Sequence, residues 1–113
     1  MGRLYRRSIS GEKTLATFEN GRVQGENNAS DMSISYNNVG QIFRPLPDGG
    51  VKAIANCDNS GCIRKGNSVF GFVVAKCEDG VTYEGSHSGG RIIAYYNGDM
   101  YGAAAATALL LGL

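Results

Sequence analysis

The chain is short of charge, of proline and of histidine, and it has no long apolar run near its start. Each shortage excludes something. Charged residues make up 19% of its 113 residues and the formal net charge is +1, so no overall field favours nucleic acid or an anionic membrane as a partner. Met1 to Arg7 is basic, but Ser8-Ile9-Ser10-Gly11-Glu12-Lys13 stands where the apolar core of a signal peptide belongs. Cys57, Cys62 and Cys77 are an odd number and cannot all pair with one another. Reduced thiols in a cytoplasmic protein are the simpler expectation, with a Cys57–Cys62 disulfide in a secreted one as the alternative. Against two prolines stand 17 glycines, and because these are scattered singly they read as frequent turns and not as a linker.

The residues between the glycines are apolar, β-branched and aromatic. From Ser68 to Gly102 two such runs are each followed by a turn pair, Asp79-Gly80 and Asn97-Gly98. A type I′ turn needs φ > 0 at both central residues, so these pairs are strong hairpin signals. Asn20-Gly21 and Asp48-Gly49 repeat the signal earlier. Four segments line up on it: Thr14 to Gly21, Ile42 to Gly49, Val74 to Gly80 and Ile92 to Gly98. The shared unit is an apolar residue, Ala, any residue, an apolar residue, then the turn. Pro45 and Pro47 remove two ladder donors and place their run at a sheet edge or outside the sheet. Asn56 to Asn67 reads as irregular.

Ala103 to Leu113 differs from everything before it. Alanine and leucine favour helix, and a helix of this length reaches about 16 Å, too short to cross a bilayer. It is apolar on every side, so it should be buried against the sheet or against another subunit. The expected fold is therefore a single all-β domain over residues 1–113. Its core is an antiparallel meander of repeated hairpins, an open sheet or partly closed barrel of about seven or eight strands. A short apolar helical tail spans 102–113.

The units Gly80-Val81-Thr82-Tyr83-Glu84-Gly85 and Gly98-Asp99-Met100-Tyr101-Gly102 resemble those of bacterial hairpin-repeat proteins of the MORN and beta-flower type. There, short strands joined by Asn-Gly or Asp-Gly turns carry a recurrent Tyr followed by Gly. The Ala/Leu-rich tail is similar to that of some such proteins. The resemblance covers residues 70–113 and, less closely, 14–25; the middle departs from it, since no Tyr-Gly follows Gly49. It implies an assembly or binding module and carries over no catalytic residues.

Few constellations could carry chemistry. Cys57, Cys62, Cys77 and His87 form a permissible zinc set by residue type, but their spacing lacks the close ligand pairs of such sites. The cysteines read better as fillers of apolar positions, so neither a metal nor another cofactor is expected. A Cys77–His87 nucleophilic pair would need an exposed, activated thiol, and Cys77 follows an apolar strand. Arg3, Tyr5, Arg6 and Arg7, with Tyr95 and Tyr96, are the candidate binding residues, because small β folds hold single-stranded nucleic acid on aromatic platforms edged by cations. The balanced charge argues against that partner. Leu109, Leu110, Leu111 and Leu113 must be covered, either by the chain's own sheet or by a second subunit, and they are the candidate oligomer interface. The expected function is a non-enzymatic structural or protein-interaction module that associates with itself or with another protein. The alternative is a barrel that binds a small ligand or single-stranded nucleic acid.

Overall fold

The structure is a computed structural model that describes residues 2–25, 34–66, 71–86 and 89–113. The strands are β1 (Gly2–Ser8), β2 (Gly11–Glu19), β3 (Arg22–Gly25), β4 (Ile34–Tyr36), β5 (Gln41–Pro45), β6 (Val51–Cys57), β7 (Cys62–Lys65), β8 (Val73–Glu78), β9 (Val81–Glu84) and β10 (Ile92–Asn97), followed by α1 (Met100–Leu111). Each strand pairs antiparallel with its sequence neighbour, and β10 pairs with β1, which closes a ten-stranded barrel.

The all-β class and the C-terminal helix agree with the sequence reading. The strand number and the degree of closure do not. Seven or eight strands in an open or partly closed sheet become ten in a closed one, for two reasons. Cys62–Lys65, inside the stretch that reads as irregular, pairs with both β6 and β8. The proline-bearing run pairs on both sides as well, because Pro45 sits at the last rung, opposite Val51, where a missing donor costs least.

The repeat is real but its period differs from the one the turn pairs suggest. The turns at one end of the barrel hold Gly21, Gly40, Gly61 and Gly80, all with positive φ. Their carbonyls accept hydrogen bonds from the N–H groups of Tyr36, Cys57, Cys77 and Tyr96 at 2.8, 2.7, 2.9 and 2.8 Å. Each of these four turns is thus pinned to the strand that runs into the next turn at the same end. Gly49, grouped with Gly21 and Gly80 by its Asp-Gly pair, turns at the opposite end, between β5 and β6.

Two turn designs occur at the pinned end, the outer pair short and the inner pair longer. Asn20-Gly21 and Asp79-Gly80 are two-residue turns, with φ of 52° and 82° and of 51° and 80°. The turns 37–40 and 58–61 are longer and closed by an Asn or Asp side chain. Asn37 Oδ1 accepts from the N–H groups of Val39 and Gln41 at 3.1 and 3.0 Å. Asp58 Oδ1 accepts from those of Ser60 and Cys62, both at 3.0 Å.

The strands also share a device that alternation hides. In β2, β6, β8 and β10 the pairing register slips by one residue, at Leu15, Ile54, Val74 and Ile93. An alanine follows each: Ala16, Ala55, Ala75, Ala94. The extra residue of a bulge breaks the period of two, so both members of each apolar–Ala pair pack into or against the core. The alanines face Leu4, Ile42, Ile63 and Thr82 across the ladder.

This belt of alanines makes room for α1. The helix lies in the lumen and touches β1, β2, β3, β4, β6, β8 and β10. Gly102 to Ala108 are fully buried. A ten-stranded barrel has an interior wider than side chains alone fill, and a helix of alanines facing a belt of alanines fills it. Gly102 lies against the Phe18 ring, where a Cβ would stand 2.2 Å from Cδ2. Asp99 caps the helix N-terminus by accepting from the N–H of Gly102 at 3.3 Å. Gly112, at φ 72°, closes the other end in the left-handed conformation, and the N–H of Leu113 bonds the carbonyl of Ala108 at 3.1 Å.

Candidate functional site

Chemistry inside the barrel is limited by what is buried there. Cys57 and Cys77 point inward, 2% and 1% exposed, while Cys62 is half-buried on β7. Burial pushes the Cys57 thiol far up. It pushes Cys77 to about 11, against hydrogen bonds from Thr82 and Thr107 that act the other way. Both are protonated at neutral pH, the wrong state for a nucleophile or a metal ligand. Among the described residues no three His, Cys, Asp or Glu side chains converge as a metal would require. His87 lies outside the described residues. The lumen itself is occupied by α1.

The outer face of β1 and β10 brings four of the six candidate binding residues together. Tyr5 and Tyr95 sit opposite each other in the ladder and stack with ring centroids 5.9 Å apart, inclined by 27°. The Arg3 guanidinium lies 4.2 Å from the Tyr5 ring centre, and that of Arg7 lies 4.2 Å from the Tyr95 ring centre. Arg3 also pairs with Glu12 and donates to Thr14 Oγ1 at 3.1 Å. The result is a closed stack, with Tyr5 only 8% exposed. Tyr5 is covered by Arg3 and by Tyr95, and Arg7 lies over the half-buried Tyr95 ring, so the pair stacks on itself before any base. Tyr96 faces the other way, against the core, and burial raises its phenol while a hydrogen bond from the Gly80 backbone opposes the rise.

Arg6 separates from the stack. It lines a cleft of about 570 Å³ with Arg7, Glu84, Arg91, Ile92, Ile93, Ala94, Tyr95 and Leu111. The cleft exists because the β1–β10 ladder stops at Tyr5–Tyr95. Beyond that rung β1 continues to Ser8, and β10 begins at Ile92. A bulge lies close to the stop on each side, at Leu15 in the partner of β1 and at Ile93 in β10 itself. Bulges bend and twist a strand and end pairing.

The four tail leucines divide at the same end. Leu109 and Leu113 pack against the core, and Arg44 donates to the Leu113 carbonyl oxygen. Leu110 and Leu111 stay 37% and 41% exposed. They are not alone. Among the described residues, every large apolar side chain exposed to solvent except Val39 belongs to this end, including Ile9, Val51, Phe72 and Ile92. Cations gather here too: Arg6, Arg7, Lys13, Lys52, Lys65 and Arg91, against Glu12, Asp48 and Glu84.

Sequence reasoning found the arginines of β1 and the exposed leucines but missed Arg91 and the cleft. The usable signal was the repeated apolar–Ala pair, of which Ile93-Ala94 is one. Compared with protein-family models, curated proteins and solved structures, the chain has no significant match.

Proposed function

We propose that this chain is a non-enzymatic interaction module that self-associates through the open end of its barrel. The observation that carries this reading is the gathering of exposed apolar side chains at one end of a barrel whose lumen its own helix fills. An apolar patch rimmed by charge is the usual mark of a protein contact. A small-ligand barrel has less support, because the helix takes the space that such a ligand would need.

The test is the mass in solution. Light scattering on the intact chain is expected to give a multiple of 11.9 kDa. Leu110→Lys, and separately Val51→Lys, should return it to the monomer mass. A native chain that is already monomeric at high concentration overturns the reading. Removing residues 102–113 is a poor probe of association, since it empties the lumen and takes the fold with it.

A further inference from the structure

We propose that the opened seam between β1 and β10 binds an extended, acidic peptide segment of a partner protein by strand addition. This goes beyond self-association and uses an adjoining part of the open end, which shares Ile92 and Leu111 with the apolar patch but includes neither Leu110 nor Val51.

Two features set the backbone chemistry. Past the Tyr5–Tyr95 rung, Arg6 to Ser8 of β1 and Ile92 to Ala94 of β10 lie outside the ladder that joins those strands elsewhere. Strand edges of this kind pair with extended chains, which gain main-chain hydrogen bonds from them. The volume, about 570 Å³, falls within the range of ligand clefts. Behind the barrel wall the lumen is filled by α1.

The walls set the side-chain chemistry. Arg6, Arg7 and Arg91 line the cleft against one acid, Glu84. Arg7 leans on Glu12 at 4.0 Å, but among the described residues neither Arg6 nor Arg91 has a carboxylate partner. Leu111 and Ile92 give the cleft an apolar side. A strand alternates its side chains between two faces. One that sets carboxylates toward the arginines and apolar groups toward Leu111 therefore matches both walls.

Fluorescence anisotropy with the full chain tests this, using a labelled peptide that alternates valine with glutamate. Binding is expected, and it should weaken by about tenfold in Arg91→Glu and in Arg6→Glu, each losing a charge-assisted pair. Both positions are exposed, and circular dichroism verifies that the variants fold. Replacing alternate residues by proline keeps the carboxylates but removes backbone donors, and should weaken binding by a similar factor. A valine–lysine peptide that binds as tightly overturns the proposal, as does unchanged affinity for the proline peptide. Tighter binding of an oligothymidylate also overturns it and assigns the cleft to nucleic acid. Running the same titration on Leu110→Lys separates the two readings. A monomeric variant that still binds keeps the seam, and a self-associating native chain that binds no peptide loses it.

Discussion

At the pinned end of the barrel each turn is short, and its glycine carbonyl is hydrogen-bonded to the next hairpin. At the open end all connections but the two-residue one between β1 and β2 are longer, the ladder stops early at one seam, and apolar and cationic side chains face solvent. Both ends are built from the same strands. The pinned turns hold the five hairpins in register around the helix, so the opposite end can carry loops whose sequence the fold hardly constrains. Loops held by a rigid scaffold are where binding residues commonly sit.

Glycine substitutions probe this contrast most sharply. A Cβ at Gly40 or Gly61 would stand 1.9 or 2.0 Å from the carbonyl oxygen of Cys57 or Cys77, at a φ of +88° or +92°. Backbone cannot yield as a flexible side chain does, so Gly61→Ala should cost about 4 kcal/mol or abolish folding. Gly49→Ala at the open end has a similar φ, +94°, but meets nothing within 4 Å. It should cost only the left-handed strain, about 1 kcal/mol. Denaturant midpoints of the two variants decide the matter. Equal losses would show that the pinned end is not special.

The helix supplies the next test. In Gly102→Ala the new methyl would meet the Phe18 ring at 2.2 Å, so overpacking should cost about 2 kcal/mol. A smaller residue opposite relieves it. Phe18→Leu combined with Gly102→Ala should be more stable than the sum of the two single losses predicts, and additive losses would mean the ring and the helix do not share that space.

What could be read in the sequence follows from the range of the forces involved. Asn20-Gly21 and Asp79-Gly80 were legible because a turn is a local conformational demand. Asn97-Gly98 has the same hairpin signal but leads from β10 into the helix, and Asn97 lacks the positive φ of a type I′ turn. The helix itself was legible from alanine and leucine alone. Its place inside the barrel was not, because an all-apolar helix states only that it is covered, not by what. The turns 37–40 and 58–61 escaped notice since their chemistry rests on one Asn or Asp side chain reaching several residues along. The apolar–Ala pairs were seen, but their cause, a bulge that puts two neighbours on one face, exists only once strands are paired. The Tyr5–Tyr95 stack shows the same limit. Composition named its residues, yet only the β1–β10 register decides that Tyr5 joins it and Tyr96 does not.

The two long turns offer the smallest and most specific test, because they share a backbone but differ in charge. Burial works against ionisation of Asp58, but hydrogen bonds from Ser60 and Arg64 and from the backbone of Cys62 and Ser60 hold it at about 2. Arg64 Nη1 lies 2.9 Å from Asp58 Oδ2. Since the folded value lies below the unfolded one, near 3.9, the carboxylate stabilises the fold above about pH 4 and loses that contribution as pH falls toward 2. Its side chain is 38% exposed, so solvent screens the effect, and Asp58→Asn should cost less than about 1 kcal/mol at neutral pH. The sign of the pH dependence is the sharper readout. Asn37 does the same work as a neutral amide, donating from Nδ2 to Gln41 Oε1 at 2.8 Å in place of the ion pair. Asp58→Asn should therefore flatten the acid limb of the stability curve, whereas Asn37→Asp should steepen it if Gln41 can rotate to donate. An acid limb that Asp58→Asn leaves unchanged would place the titrating group elsewhere and leave the long turns alike in energy as well as in shape.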